Sequence, residues 1–127
     1  MFSHIMIGSN DIDASRRFYD ATLGALGAKP GRVDDKGRVL YMNNGGLLML
    51  TRPIDGAPAT HANGGTTGFA ATSAEQVDAW HAAGVANGGT TCEDPPGYRE
   101  QSFGKLYLAY LRDPAGNKLC GLYRPPA

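Results

Sequence analysis

Net charge is absent from this chain, as are the long apolar runs, cysteine frameworks and catalytic signatures that narrow a protein's class. Twelve basic side chains balance twelve acidic ones over 127 residues, and no basic run occurs. The electrostatic footprint of a nucleic-acid binder is therefore missing. No apolar stretch approaches the twenty or so residues of a membrane span, so a membrane partner is not expected. Met1-Phe2-Ser3-His4 reads as the start of a strand and not as a charged-then-apolar leader. The two cysteines, Cys92 and Cys120, lack metal-motif spacing, so reduced thiols and a cytoplasmic location are expected in place of a disulfide framework. There is no Gly-x-x-x-x-Gly-Lys-Ser/Thr phosphate loop, no Gly-x-Ser-x-Gly elbow and no His-Glu-x-x-His helix. A serine hydrolase would further need a base and an orienter that the sequence does not supply.

Glycine, by contrast, is plentiful at 18 residues, which fits many tight turns. The chain also repeats itself. Residues 4–27 recur by position type at an offset of 62: His4 falls on Thr66, Asp11 on Ser73, Phe18 on Trp80 and Gly27 on Gly89. Further along, Tyr41-Met42 recurs as Tyr110-Leu111, and Thr51-Arg52-Pro53 as Tyr123-Arg124-Pro125. Such a repeat implies units that cannot bury their apolar faces alone and must pack together. A length of 127 residues fits one domain, read here as modules 1–52 and 66–127 joined by a linker at 53–65.

The first half reads as strand, helix and three strands. Residues 2–8 alternate, with His4 and Met6 on one face and Ile5 and Ile7 on the other. Asn10 and Asp11 suit a helix N-cap, and Ile12, Phe18, Tyr19 and Leu23 share one helical stripe that ends near Gly24 or Gly27. Strands are predicted at about 28–33, 37–43 and 46–51, divided by the turn signals Asp34-Asp35-Lys36-Gly37 and Asn43-Asn44-Gly45-Gly46. Arg52 to Gly65 carries two prolines and three glycines and reads as a linker. The second half restarts with a strand at 67–71, and Ser73-x-x-Gln76 has the form of a capping box that opens a helix carrying Val77, Trp80, His81 and Val85. Strands follow at 90–93, 105–111 and 118–123, the last two joined by the turn-rich Arg112-Asp113-Pro114-Ala115-Gly116-Asn117. Both halves have the order βαβββ.

The doubled plan, the opening His4 with Asn10-Asp11 and Phe18-Tyr19, and the closing Tyr110-Leu111-Arg112-Asp113-Pro114-Ala115-Gly116-Asn117-Lys118-Leu119 resemble the vicinal oxygen chelate superfamily, the glyoxalase, bleomycin-resistance and extradiol-dioxygenase group. The resemblance implies an α+β fold of two βαβββ modules. Their curled mixed sheets would form a cup with helices outside, commonly completed by dimerisation. In metal-dependent members a divalent ion is held by side chains from the first and last strand of each module. Carried over, those positions are His4, Leu48, Thr66 and Cys120. Only His4 is a strong ligand for the ions such enzymes use; Leu48 offers nothing, Thr66 only a neutral hydroxyl, and Cys120 stands where a ligating member has Glu. His4 with Cys120 gives two ligands where catalytic zinc has three. No cofactor is therefore expected, with a divalent ion at His4 the one that the resemblance leaves open.

Structural readings of the same residues are simple. A strand histidine is commonly a hydrogen-bonded wall residue, and Cys120 between Leu119 and Leu122 reads as a small buried hydrophobe. Phe18 and Trp80 read as the anchors of each helix on its sheet. Residues 93–105 have no counterpart of similar length in the first half and read as an inserted loop, in which Tyr98 and Arg99 could border the mouth of the cup. Arg99 could orient an anion or could pair with Glu100 or Asp94. The expected ligand-binding set is thus His4, Met6, Leu48 and Thr66 with Tyr98, Arg99, Tyr110 and Cys120, taking a small, partly apolar molecule in a homodimer. One function this allows is a bleomycin-resistance-type binding protein without the full metal site. The alternative is a metal-dependent glyoxalase-like lyase or isomerase, in which an ion polarises a carbonyl and a side-chain base moves a proton.

Overall fold

The alternation of the opening segment orients the first strand in the computed structural model, which describes residues 1–127. Ile5 and Ile7 of β1 (Ile5–Gly8) pack on the core, and Met6 turns away. The chain continues through α1 (Ile12–Ala25), β2 (Arg32–Val33), β3 (Val39–Asn43), β4 (Gly46–Thr51), β5 (Thr67–Ala70), α2 (Ala74–Ala86), β6 (Thr90–Thr91), β7 (Gly97–Gln101), β8 (Gly104–Arg112) and β9 (Lys118–Tyr123). The architecture is α+β, with two helices and nine strands in two mixed sheets that do not close on one another. One difference from the expected plan is β7. The segment read as an inserted loop folds back on β8 as an antiparallel hairpin, with Gln101 opposite Gly104.

Both helices are started by side chains. Asp11 Oδ1 accepts from the Ala14 amide at 3.1 Å, and Ser73 Oγ from the Gln76 amide at 3.1 Å. The capping box is completed one residue earlier than its usual form, because Gln76 Oε1 accepts from the Thr72 amide at 2.7 Å. Each helix ends in a left-handed glycine, Gly27 with φ 94° and Gly88 with φ 94°. The carbonyls of Leu23 and Gly84 accept from Ala28 and Gly89 at 2.9 and 2.8 Å across these turns. The partner of Gly27 is therefore Gly88 and not Gly89. The cause is that α2, at 13 residues, is one shorter than α1 at 14.

In the first sheet β1 lies parallel to β4, and β3 and β2 follow antiparallel; in the second, β5 lies parallel to β9, with β8 next and β6 and β7 both pairing β8. Asn44 (φ 49°) and Gly45 (φ 82°) form the β3–β4 turn, where two left-handed residues match the twist of a hairpin. One face of each sheet is covered by its helix. A single cluster of thirteen buried residues, including Phe18, Leu50, Trp80 and Leu111, joins the two helices and these inner faces. Phe18 and Trp80 are both fully buried as anchors. Trp80 lies so close on β9 that a Cβ on Gly121 would stand 2.8 Å from the indole ring.

The modules meet mainly where α1 packs on α2 and at the β8–β9 turn. Asp113 and Asn117 are buried there. Asp113 Oδ1 accepts from the amides of Ala115 and Asn117, both at 2.9 Å, while Oδ2 accepts from Asn117 Nδ2 at 2.9 Å and from the Tyr19 hydroxyl of α1 at 2.6 Å. Asn117 Nδ2 also donates to the Gly8 carbonyl at the end of β1, at 2.9 Å. The linker is tied down as well: Asn10 and Ala59 exchange two hydrogen bonds, at 3.1 and 2.7 Å.

Candidate functional site

Strand pairing decides which residues can share a site, because a shift of one residue moves a side chain to the other face of the sheet. In the second sheet Tyr110 pairs with Cys120 and Leu108 with Leu122 across β8 and β9, and Arg99 pairs with Leu106 across β7 and β8. All of these lie on the face that no helix covers. Leu106, Leu108 and Cys120 form its buried floor, with Tyr110 and Leu122 packed against them. The amide of Cys92 reaches the Tyr110 carbonyl at 3.5 Å.

Charged groups gather at this floor. Lys118 is ion-paired with Glu93 and its ammonium stands 5.1 Å from the centre of the Tyr110 ring. Arg99 Nη2 donates to the carbonyls of Asp94 and Pro95 at 3.2 and 2.9 Å. Burial pushes the Tyr110 phenol up, Cys120 and Glu93 add to that, and Arg99 opposes it. Burial also pushes the Cys120 thiol up, against the opposing effects of the Tyr110 hydrogen bond, Lys118 and Arg99. At neutral pH Cys120 is a thiol, which is a poor nucleophile and a poor metal ligand.

Two expected site residues are elsewhere. Leu48 pairs with Ile5 and belongs to the buried core beneath the helices; the residue of β4 on the uncovered face is Met49, paired with Met6. Tyr98 pairs with Tyr107 and packs edge-on against it at 4.9 Å, on the side of α2. There Asp78 accepts the Tyr107 hydroxyl at 2.6 Å, and this bond pushes the phenol up to about 12. Of the remaining candidates, Arg99, Tyr110 and Cys120 come together in the second sheet. His4 and Thr66 are exposed just before β1 and β5, with His4 Nδ1 2.8 Å from Ser3 Oγ. Met6 is exposed on the uncovered face of the first sheet.

The repeat is thereby re-registered. Leu40 pairs with Met49 in the first sheet as Tyr110 pairs with Cys120 in the second, while Tyr41, expected to match Tyr110, is buried under α1. The Leu47-Leu48-Met49-Leu50 run has no polar alternation to mark its faces, and this misplaced Leu48. Met49 stands on the uncovered face of the first sheet, and Lys118, ion-paired with Glu93, on that of the second; alternation along Lys118-Leu119-Cys120 is the sequence signal that marks Lys118.

The family model described as Glyoxalase/Bleomycin resistance protein/Dioxygenase superfamily matches residues 1–120. This chain belongs to that superfamily. A solved glyoxalase/bleomycin resistance protein from Albidiferax ferrireducens T118 is 60% identical to this superfamily member over 98% of this chain and 99% of its own, with a TM-score of 0.94. At the level of fold alone, it is similar to a glyoxalase/bleomycin resistance protein/dioxygenase family enzyme from Burkholderia phytofirmans PsJN, at 19% identity over 95% of this chain and 96% of that one, TM-score 0.74. Lactoylglutathione lyase from Agrobacterium tumefaciens is likewise similar, at 22% identity over 97% and 92% of the two chains, TM-score 0.67. No protein of curated function matches the chain.

The residues at the superfamily's ligand positions do not suit the divalent ion of its metal-dependent members. With the register corrected they are His4, Met49, Thr66 and Cys120: one imidazole, one thioether, one hydroxyl and one protonated thiol. Hard divalent ions favour carboxylate and imidazole donors, and no three His, Cys, Asp or Glu side chains of the chain converge.

Proposed function

We propose that this superfamily member is a bleomycin-resistance-type binding protein that holds a small, partly apolar organic molecule on the uncovered face of its second sheet, without the divalent-ion site. The observation that carries this reading is the composition of that face. Leu106, Leu108 and Leu122 supply an apolar floor and Tyr110 a stacking surface, with Lys118 over the Tyr110 ring among its few polar groups, as small-molecule sites require. The face is open, and the larger clefts lie elsewhere. One of about 640 Å³ is bordered by Lys29, Arg32, Leu40 and Met42, one of about 500 Å³ by Ser9, Asn10, Arg52 and Pro58, and a smaller one of about 270 Å³ lies between the modules near Leu26, Leu48 and Phe69. A covering surface is needed, and we assign it to a second copy of the chain in a homodimer. Its first sheet offers the apolar side chains of Met6 and Met42, which are 41% and 73% exposed. The cytoplasm, where the thiols of Cys92 and Cys120 stay reduced, is the proposed location.

Metal analysis of untagged protein, wild type against His4→Ala, tests the ion-free part, with less than a tenth of an equivalent expected in both. A near-stoichiometric ion lost on mutation would refute it and favour the glyoxalase-like lyase or isomerase reading, for which the exposed His4 imidazole speaks. Thermal unfolding against a panel of aromatic and small organic compounds tests the binding part. At least one compound should raise the midpoint, since a ligand of the native state alone stabilises it; none doing so across a broad panel would refute it.

A further inference from the structure

Arg99 is a cation without a counter-ion. The ion pairs of the chain are Arg16 with Asp20, Arg38 with Asp34, and Lys118 with Glu93, so neither neighbour suggested by the sequence neutralises Arg99. Glu100 pairs with Lys105 across β7 and β8, on the opposite face, and Asp94 contributes its backbone carbonyl, not its carboxylate. The two carbonyls take only Nη2. Nε and Nη1 donate to no group of the protein, while the guanidinium is held in place at a half-buried position.

This differs from Arg38, whose Nε donates to Asp34 Oδ2 at 2.6 Å. A guanidinium fixed by neutral carbonyls keeps its full charge and loses little further freedom when a ligand arrives. Arg99 holds the carbonyl of Asp94, the residue that follows Glu93, the ion-pair partner of Lys118, and its field reaches Tyr110 and Cys120, where Glu93 is the one carboxylate that acts. By register Arg112, paired with Lys118, is on this face as well, so cations outnumber the carboxylate of Glu93 above the apolar floor.

We infer that the molecule bound on this face is an organic anion, its acid group received by Arg99 and its apolar body lying on the half-buried Tyr110 and Leu122. This rests on the binding reading above and names the class of its ligand. Sequence alternation supports it, because Arg99 is the one charged residue of β7 on that face.

The test uses two fluorescent probes that share an apolar body: 8-anilino-1-naphthalenesulfonate, which carries an acid group, and N-phenyl-1-naphthylamine, which does not. Titrated at pH 7 into the full chain, the anion should bind at least tenfold more tightly than the neutral probe. Arg99→Gln should weaken the anion at least tenfold, about 1.4 kcal/mol, and leave the neutral probe unchanged. Lys36→Gln, in the β2–β3 turn, should change neither. Equal affinities for the two probes, no effect of Arg99→Gln on the anion, or an equal loss of both would overturn the inference while the binding reading stood. Failure of the wild-type chain to bind either probe would overturn the binding reading itself.

Discussion

Tyr19→Phe removes one oxygen from the joint that fixes the second module on the first. The Tyr19 hydroxyl donates to Asp113 Oδ2 at 2.6 Å in a buried setting. Burial, and then the Asp113 carboxylate, hold the phenol well above its ordinary range, so it is a donor at every working pH. A hydrogen bond to a charged group contributes about 1.5–3 kcal/mol. Oδ2 keeps the bond from Asn117 Nδ2 and Oδ1 keeps its two amides, so the variant should fall near the lower end, at about 1.5–2 kcal/mol. For a domain of this length each kcal/mol lowers the midpoint by roughly 4 °C, which gives a loss of roughly 6–8 °C. Thermal and urea unfolding followed by circular dichroism measure it. Combining the variant with Asp113→Asn should give a coupling of about 1 kcal/mol or more, since the two groups touch. A midpoint within 2 °C of wild type, or additive single effects, would refute the claim that this bond joins the modules.

Gly84→Ala should destabilise, although alanine is the better helix former by about 1 kcal/mol. The new Cβ would stand 2.4 Å from Leu111 Cδ1 and 3.1 Å from Phe18, both fully buried, and overpacking costs about 1–3 kcal/mol; unchanged or raised stability would contradict the close α1–α2 approach. Iodoacetamide at pH 7.5, read by peptide mass spectrometry, should label the partly exposed Cys92 and leave the native-state Cys120 unmodified. Labelling at Cys120 should begin only at higher pH, because its burial raises the thiol's pKa; comparable labelling of both cysteines at pH 7.5 would refute this.

Local chemistry made most elements legible. Apolar spacing, Asp11, Ser73 and the end glycines predicted both helices, and Asn44-Gly45 predicted a hairpin that forms with both residues left-handed. Register was not legible where the sequence offers no alternation. The run Leu47-Leu48-Met49-Leu50 is apolar on both faces, because β4 is central and Met49 is buried as well as Leu48 and Leu50. Aligning it from Arg52-Pro53 therefore missed by one residue, and with period two a miss of one exchanges the faces. The segment around β7 misled for another reason. Pro95, Pro96 and Gly97 signal a turn, and Tyr98-Arg99-Glu100-Gln101 is too polar to read as core. It is an edge strand, paired on one side only, where charged residues protect an exposed edge.

The corrected register shows two modules built alike and finished differently. Where the second sheet places Tyr110 beside Cys120, the first places Leu40 beside Met49, and the charges of Glu93, Arg99 and Lys118 have no counterparts on the uncovered face of β1 and β4. An open sheet face leaves much of a ligand wet, whereas small-molecule sites bury about 70–90% of a ligand's surface. In the proposed dimer the uncovered face of a second copy's first sheet, apolar at Met6, Leu40 and Met49 and cationic at its Arg32 edge, would cover the ligand's body. A ligand held between such surfaces would touch both chains of the proposed dimer and would bind it more tightly than the single chain. By linkage, occupancy and association then strengthen each other by the same factor.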